Sequence, residues 1–213
     1  MKLYSLPHSP YSARVRMQIY SKQLNIDILP PEIPLKTTEF KDAYPMGKVP
    51  ILEISETELI PEATAIAEYL EDEFPENPCR PKSSSKLAMT RATVSFANSH
   101  FGPSLFPLFK NMAEKDAHPD KSTFTQPLCT ELEKLDRWMA IHTSDAYDIG
   151  DFALATNLWY ATTLAPAYDQ PDILMQYPRV KAWWEAIKKQ PHVEKVLDEM
   201  AAGFAAFVKK NKQ

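Results

Sequence analysis

Glycine is scarce in this chain, with 4 among 213 residues. A glycine-rich loop wrapped around phosphates is therefore excluded, because the common nucleotide fingerprints need two or three glycines within a few positions. Cysteine is scarcer still: Cys79 and Cys129 stand far apart, without a C-x-x-C or metal-ligand spacing. They read as two reduced thiols of a cytoplasmic protein, with no metal site. Positive charge is not in excess, since 24 Lys and Arg face 28 Asp and Glu for a net −4, and the basic residues are scattered. That leaves no electrostatic footprint for nucleic acid. Every apolar run is far shorter than the ~18 residues of a membrane span. Met1-Lys2 leads directly into a strand-like Leu3-Tyr4-Ser5 with no signal-peptide pattern.

What the chain has instead is 44% hydrophobic residues, enough for a core, and 19 prolines that punctuate it. Leu3 to Leu6 reads as a strand, Pro7-His8-Ser9-Pro10 as a turn, Ser12 to Lys22 as a helix and Ile26 to Leu29 as a second strand. Strand, helix, strand in so short a span is a βαβ unit with a right-handed crossover. Lys36 to Ala43 reads as a short helix. Ile51 to Ile54 and Glu58 to Ile60 read as a hairpin turning at Ser55-Glu56-Thr57, and a helix opens near Glu62 with Ile66, Tyr69 and Leu70 on one face. Residues 1–76 thus predict a small mixed sheet with helices on both faces. Pro75, Pro78 and Pro81 make residues 77–85 a linker. Residues 86–213 read as all helical: Leu87 to Met112 bent or broken at Gly102-Pro103 and Pro107, then Pro127 to His142, Asp148 to Pro166, Tyr177 to Lys189 and Val193 to Val208.

Two places invite chemistry. Val49-Pro50 opens a strand, and a proline there is either an ordinary trans residue or a cis bond, the form of roughly 5–6% of such bonds. In the cis form the Val49 N–H and C=O turn outward to pair with an extended peptide. The helix after Pro61-Glu62 aims unpaired N–H groups at the same place, which favours an anion. The second place is His8-Ser9-Pro10-Tyr11-Ser12-Ala13-Arg14, at the start of a helix. Ser9 reads either as a helix N-cap or as a reactive-site hydroxyl, and the two roles are compatible.

Gly47-Lys48-Val49-Pro50 followed by Glu62-x-x-Ala65-Ile66 resembles the thioredoxin-like domain of the glutathione transferase family, and the chain resembles that family over nearly its whole length. The resemblance implies an α/β thioredoxin-like N-terminal domain plus an all-α C-terminal helical bundle domain. It implies a cis Val-Pro bond, with the Val49 backbone pairing with the cysteinyl unit of glutathione and Glu62 holding the γ-glutamyl end. Ala63 stands where the family most often has Ser, and Thr64 is a partial replacement. Lys48, Pro50 and Ser12 complete the expected glutathione contacts. In thioredoxin-like proteins the first turn carries Cys; here Ser9 and Ser12 take both ends, which excludes disulfide exchange. The Ser-type classes place a catalytic Ser five residues before an Arg, as Ser9 and Arg14 stand here, a pattern similar to the zeta and phi classes. Asp148-Ile149-Gly150-Asp151 resembles the family's capping motif, with a role in folding.

The resemblance implies that Ser9 activates glutathione. A thiol of pKa ~8.5 is about 3% ionised at neutral pH. A hydrogen bond of roughly 1.5–3 kcal/mol to its anion lowers that pKa by about 1–2 units. The electrophile would be a small apolar or aromatic molecule in a pocket made by Tyr11, Phe101, Ser104 and Phe106, although rings at the spacing of Phe101 and Phe106 more often fill a helical core, and the reaction conjugation, isomerisation or ether cleavage. A homodimer is expected, with Ala63 to Glu73 and Lys86 to Phe101 in contact. The alternative is a non-catalytic binding or stress-regulatory protein on the same fold, favoured by Ala63.

Overall fold

The computed structural model describes residues 1–114, 120–141 and 146–210. The N-terminal sheet has the order β2-β1-β3-β4, with β1 at Lys2–Tyr4, β2 at Asp27–Leu29, β3 at Ile51–Ser55 and β4 at Glu58–Pro61. β1 runs parallel to β2 and antiparallel to β3, and β3 and β4 form a hairpin. Helix α1 (Pro10–Ser21) makes the crossover between β1 and β2, α2 (Thr38–Ala43) precedes β3, and α3 (Ala63–Glu73) follows β4.

Alternation along the strands divides the core. Leu3 and Leu52 face one side, where they are buried with Val15 and Ile19 of α1 and Ala63, Ile66 and Leu70 of α3. Tyr4 and Ile51 face the other side, against Phe40 of α2. A one-residue slip in register would exchange these sets, so the pleat fixes which helix covers which face. The expected mixed sheet with helices on both faces is present.

A buried polar cluster ties the segment after α3 to this unit. Lys22 pairs with Glu71 at 3.2 Å, with both side chains essentially inaccessible. Lys22 also donates to the Glu76 carbonyl. Glu71 accepts from Gln18 Nε2 at 2.8 Å and from the Cys79 amide at 3.0 Å.

The second compact unit spans Pro81–Gln190. Its helices are α4 (Ser84–Phe96), α5 (Gly102–Ser104), α6 (Phe106–Glu114), α7 (Ser122–Ile141), α8 (Ile149–Leu164) and α9 (Pro178–Ile187). The expected long helix from Leu87 is broken where proline removes backbone donors. A π-helical turn, Ala97–Phe101, widens the chain just before Gly102-Pro103, with the Gly102 amide bonded to the Ala97 carbonyl. Helix α7 begins ahead of Pro127, because Asp120 accepts from the Ser122 amide and hydroxyl. Its expected end, His142, lies outside the described residues.

Helix α8 is the core of this unit, buried along nearly its whole length. Its start is a reciprocal capping box: Asp148 accepts from the Gly150 and Asp151 amides, and Asp151 accepts from the Asp148 amide. Asp151 also accepts from Trp183 Nε1 at 2.9 Å. Burial, and then the neighbouring Asp148 carboxylate, push Asp151 up to about 7.

The division of the chain differs from the one read in the sequence. The expected helical domain 86–213 includes the last helix, yet α10 (Pro191–Lys210) belongs to the same compact unit as residues 1–80 and packs on α1. Its stripe Val193, Val196, Leu197 and Met200 is buried. Glu199 accepts from Arg16 Nε at 2.8 Å and from the Tyr20 hydroxyl at 3.0 Å, and Lys195 lies 3.7 Å from the Tyr20 ring centre. An amphipathic stripe announces a helix but not the surface it covers. Arg16 decides it, because a buried guanidinium requires a carboxylate.

Candidate functional site

The turn between β1 and α1 is built by its own hydrogen bonds. The Ser9 amide donates to the Leu6 carbonyl at 3.1 Å, which closes the turn. Ser9 is the N-cap of α1: its Oγ accepts from the Ser12 amide at 3.2 Å, and Pro10 fills the first helical position, where no donor is needed. The cap uses only an acceptor lone pair of Ser9. Its O–H proton remains to be donated, and Ser9 is half-buried. The Tyr11 amide, in the first turn, has no intrahelical acceptor either. Two donors and the positive end of a twelve-residue helix therefore meet at one place, which favours an anion.

Ser12 is different. It is fully buried, and its Oγ has no hydrogen-bond partner among the described residues. Arg14 is buried, with its guanidinium 4.8 Å from the Tyr11 ring centre, and burial lowers its pKa to about 10. Tyr4, the other hydroxyl near this turn in sequence, donates to Glu53 at 2.7 Å. That bond, with burial, raises its pKa well above the usual phenol range. A hydroxyl committed to a carboxylate is not available to a thiolate. His8 is held below its ordinary pKa by burial and then by Arg16, which keeps it neutral at pH 7.

The second place lies at the start of β3. The Val49-Pro50 bond is cis. Pro50 is buried, Val49 half-buried and Lys48 exposed. Among the described residues the Val49 amide and carbonyl take no hydrogen-bond partner. Glu62 sits at φ 69°, ψ 120°, a left-handed backbone conformation that costs a side-chain-bearing residue on the order of 1–3 kcal/mol. It caps α3 with no side-chain bond, and its exposed carboxylate has no ion pair among the described residues. Ala63 is turned into the core beneath α3, so it offers a ligand only its backbone; Thr64 is exposed.

The expected pocket residues differ in exposure. Tyr11 is 38% exposed and Phe106 is 62% exposed. Phe101 and Ser104 are buried in the helical unit, where the Ser104 hydroxyl donates to the Phe101 carbonyl at 2.6 Å. The π-helical turn rotates Phe101 inward, which straight-helix spacing does not anticipate. Sequence reasoning missed Arg16 and Glu199. The available signal was an arginine inside the apolar run Val15-Arg16-Met17.

The sheet is thioredoxin-like, with an open strand start at a cis proline and a hydroxyl instead of a cysteine at the first helix. The comparisons agree. Residues 3–78 match the family described as glutathione S-transferase, N-terminal domain. Glutathione S-transferase omega-1 of Mus musculus is 24% identical over 90% of this chain and 78% of its own length. Glutathione S-transferase Z2 of Arabidopsis thaliana is 27% identical over 93% of this chain and 91% of its own. The crystal structure of glutathione transferase F7 from Populus trichocarpa superposes with a TM-score of 0.76 at 23% identity, covering 93% of this chain and 98% of that one. Residues 3–78 carry the N-terminal domain of that family, and the chain is similar to glutathione S-transferases over nearly its whole length.

If Glu62 holds the γ-glutamyl end of glutathione, a Glu62→Ala protein is expected to bind it roughly 10- to 150-fold more weakly, the worth of one hydrogen bond to a charged group. Its unfolding free energy should stay within about 0.5 kcal/mol of the parent, because no cap bond is lost. Calorimetry and urea unfolding on the same samples separate the two effects.

Proposed function

We propose that this glutathione transferase-family enzyme binds glutathione along the Val49 edge and activates its thiol with Ser9. The carrying observation is the Ser9 hydroxyl: its acceptor side is consumed by the helix cap and its proton is free to be donated. In this reading the Val49 amide and carbonyl pair with the cysteinyl unit as a further strand would. The Glu62 carboxylate and the first amides of α3 hold the γ-glutamyl end. Lys48, Pro50, Ala63 and Thr64 shape the rest of the contact. Ser12 lends only its amide, which orients Ser9. The thiolate then attacks a small apolar or aromatic electrophile, in conjugation, isomerisation or ether cleavage. A cytoplasmic homodimer using the α3 and α4 helices belongs to the same reading, as does a role in detoxification.

Ultraviolet titration of glutathione bound to the protein tests this. The bound thiol should ionise about 1–2 units below the free value of ~8.5. One observation favours a second reading, a non-catalytic binder: Ala63 removes a side-chain hydroxyl from the contact. Binding with an unshifted thiol would support it and overturn the catalytic role of Ser9.

A further inference from the structure

The turn that carries Ser9 is held from outside by the last helix. Arg16 is 2% exposed at its side chain. One guanidinium nitrogen donates to Ser5 Oγ at 2.7 Å and to the Leu6 carbonyl at 3.1 Å, and the other to the Pro7 carbonyl at 2.8 Å. Its Nε donates to Glu199 of α10. One turn further along α10, Gly203 lies against the same segment. A Cβ at Gly203 would stand 2.6 Å from Pro7 Cβ and 3.0 Å from the His8 amide nitrogen. A further turn on, Phe207 stacks on His8 with ring centres 4.8 Å apart. Residues 199, 203 and 207 recur every four positions, so one stripe of α10 meets Arg16, Pro7 and His8, and Ser9 follows directly.

We propose that Glu199 and Gly203 are positioning residues for thiol activation: they seat α10 on the β1–α1 turn and thereby fix where the Ser9 hydroxyl points. This rests on the reading of Ser9 above. A hydrogen bond weakens steeply with angle and distance, so a shift of a few tenths of an ångström in the turn reaches the thiolate even though no residue of α10 touches it. Arg16 acts as the clasp, and Glu199 holds the clasp. Gly203 acts by closeness alone and carries no charge, which separates geometry from electrostatics.

The test uses the full chain as Gly203→Ala and Glu199→Gln, with Ala202→Gly as a helix control on an exposed position. On an ordinary helix Gly→Ala stabilises by up to ~1 kcal/mol. Here the new methyl meets a proline ring, and the turn must move. Gly203→Ala and Glu199→Gln are expected to raise the pKa of bound glutathione by roughly half to one unit, a three- to tenfold loss of thiolate and of kcat below that pKa. KM for glutathione should change less than twofold, because the Val49 and Glu62 contacts are untouched. Ala202→Gly should lower Tm without moving the thiol pKa. A purely structural role for α10 would lower Tm in all three variants and leave the thiol pKa of each folded protein at the parent value, which would overturn this inference alone. An unshifted thiol in the parent would overturn the Ser9 reading, and this one with it.

Discussion

Replacing Ser9 by alanine is expected to lower kcat with glutathione and an aromatic electrophile by roughly 10- to 150-fold, the worth of one hydrogen bond to a charged group. The pKa of the bound thiol should return towards ~8.5. The loss should be largest below that value and fade at high pH, where the thiol ionises unaided. Alanine also removes the cap of α1, at about 1 kcal/mol of stability. Ser9→Gly distinguishes the two losses, because glycine is a tolerable N-cap and costs only a few tenths of a kcal/mol. It should lose as much activity as Ser9→Ala with much less of the stability.

Ser12→Ala supplies the opposite control. Its hydroxyl is buried and makes no hydrogen bond among the described residues. Removing it should leave turnover within twofold and should not lower the melting temperature, since an unsatisfied buried hydroxyl is a cost to the fold. If Ser9→Ala keeps full turnover while Ser12→Ala loses it, the roles given to the two hydroxyls are reversed and the activation model is wrong.

The sheet and its helices were legible because their signals are local. Leu3 and Leu52 on one face, and Tyr4 and Ile51 on the other, alternate in the sequence as they do in the structure. The cis bond at Val49-Pro50 was legible through resemblance alone; nothing in residue spacing requires it. The placement of α10 was not legible. Its stripe fits any apolar surface, and its commitment to α1 depends on Arg16 meeting Glu199 across 183 positions of chain. Spacing left Phe101 and Ser104 open between core and pocket for a different reason. Phe101 closes a π-helical turn and Ser104 follows it, and one extra residue in a turn rotates everything after it by about 100°. The two serines of the first turn look alike in sequence; only the cap geometry shows one with a proton to give and the other sealed.

Breaking the buried pair of Lys22 and Glu71 is expected to be the most damaging change to the fold. Removing one partner leaves an uncompensated buried charge, a loss of about 3–5 kcal/mol. At about 2–4 °C per kcal/mol for a chain of this size, the melting temperature of Glu71→Leu should fall by roughly 6–20 °C. Lys22→Met should fall in the same range. The double replacement tests where the cost comes from. Were the ion pair alone at issue, two apolar side chains of similar volume would recover most of the loss. Here they should recover only part, because Glu71 also accepts from Gln18 and from the Cys79 amide, and Lys22 also donates to the Glu76 carbonyl. The Cys79 amide would remain buried without a partner, at about 1–3 kcal/mol, and Gln18 Nε2 would keep only its bond to the Ala67 carbonyl. The residual cost therefore measures how firmly residues 76–79 are bound to α1 and α3. A Glu71→Leu protein within 1 kcal/mol of the parent in urea unfolding would show that water reaches this cluster and that the pair is a surface one in solution.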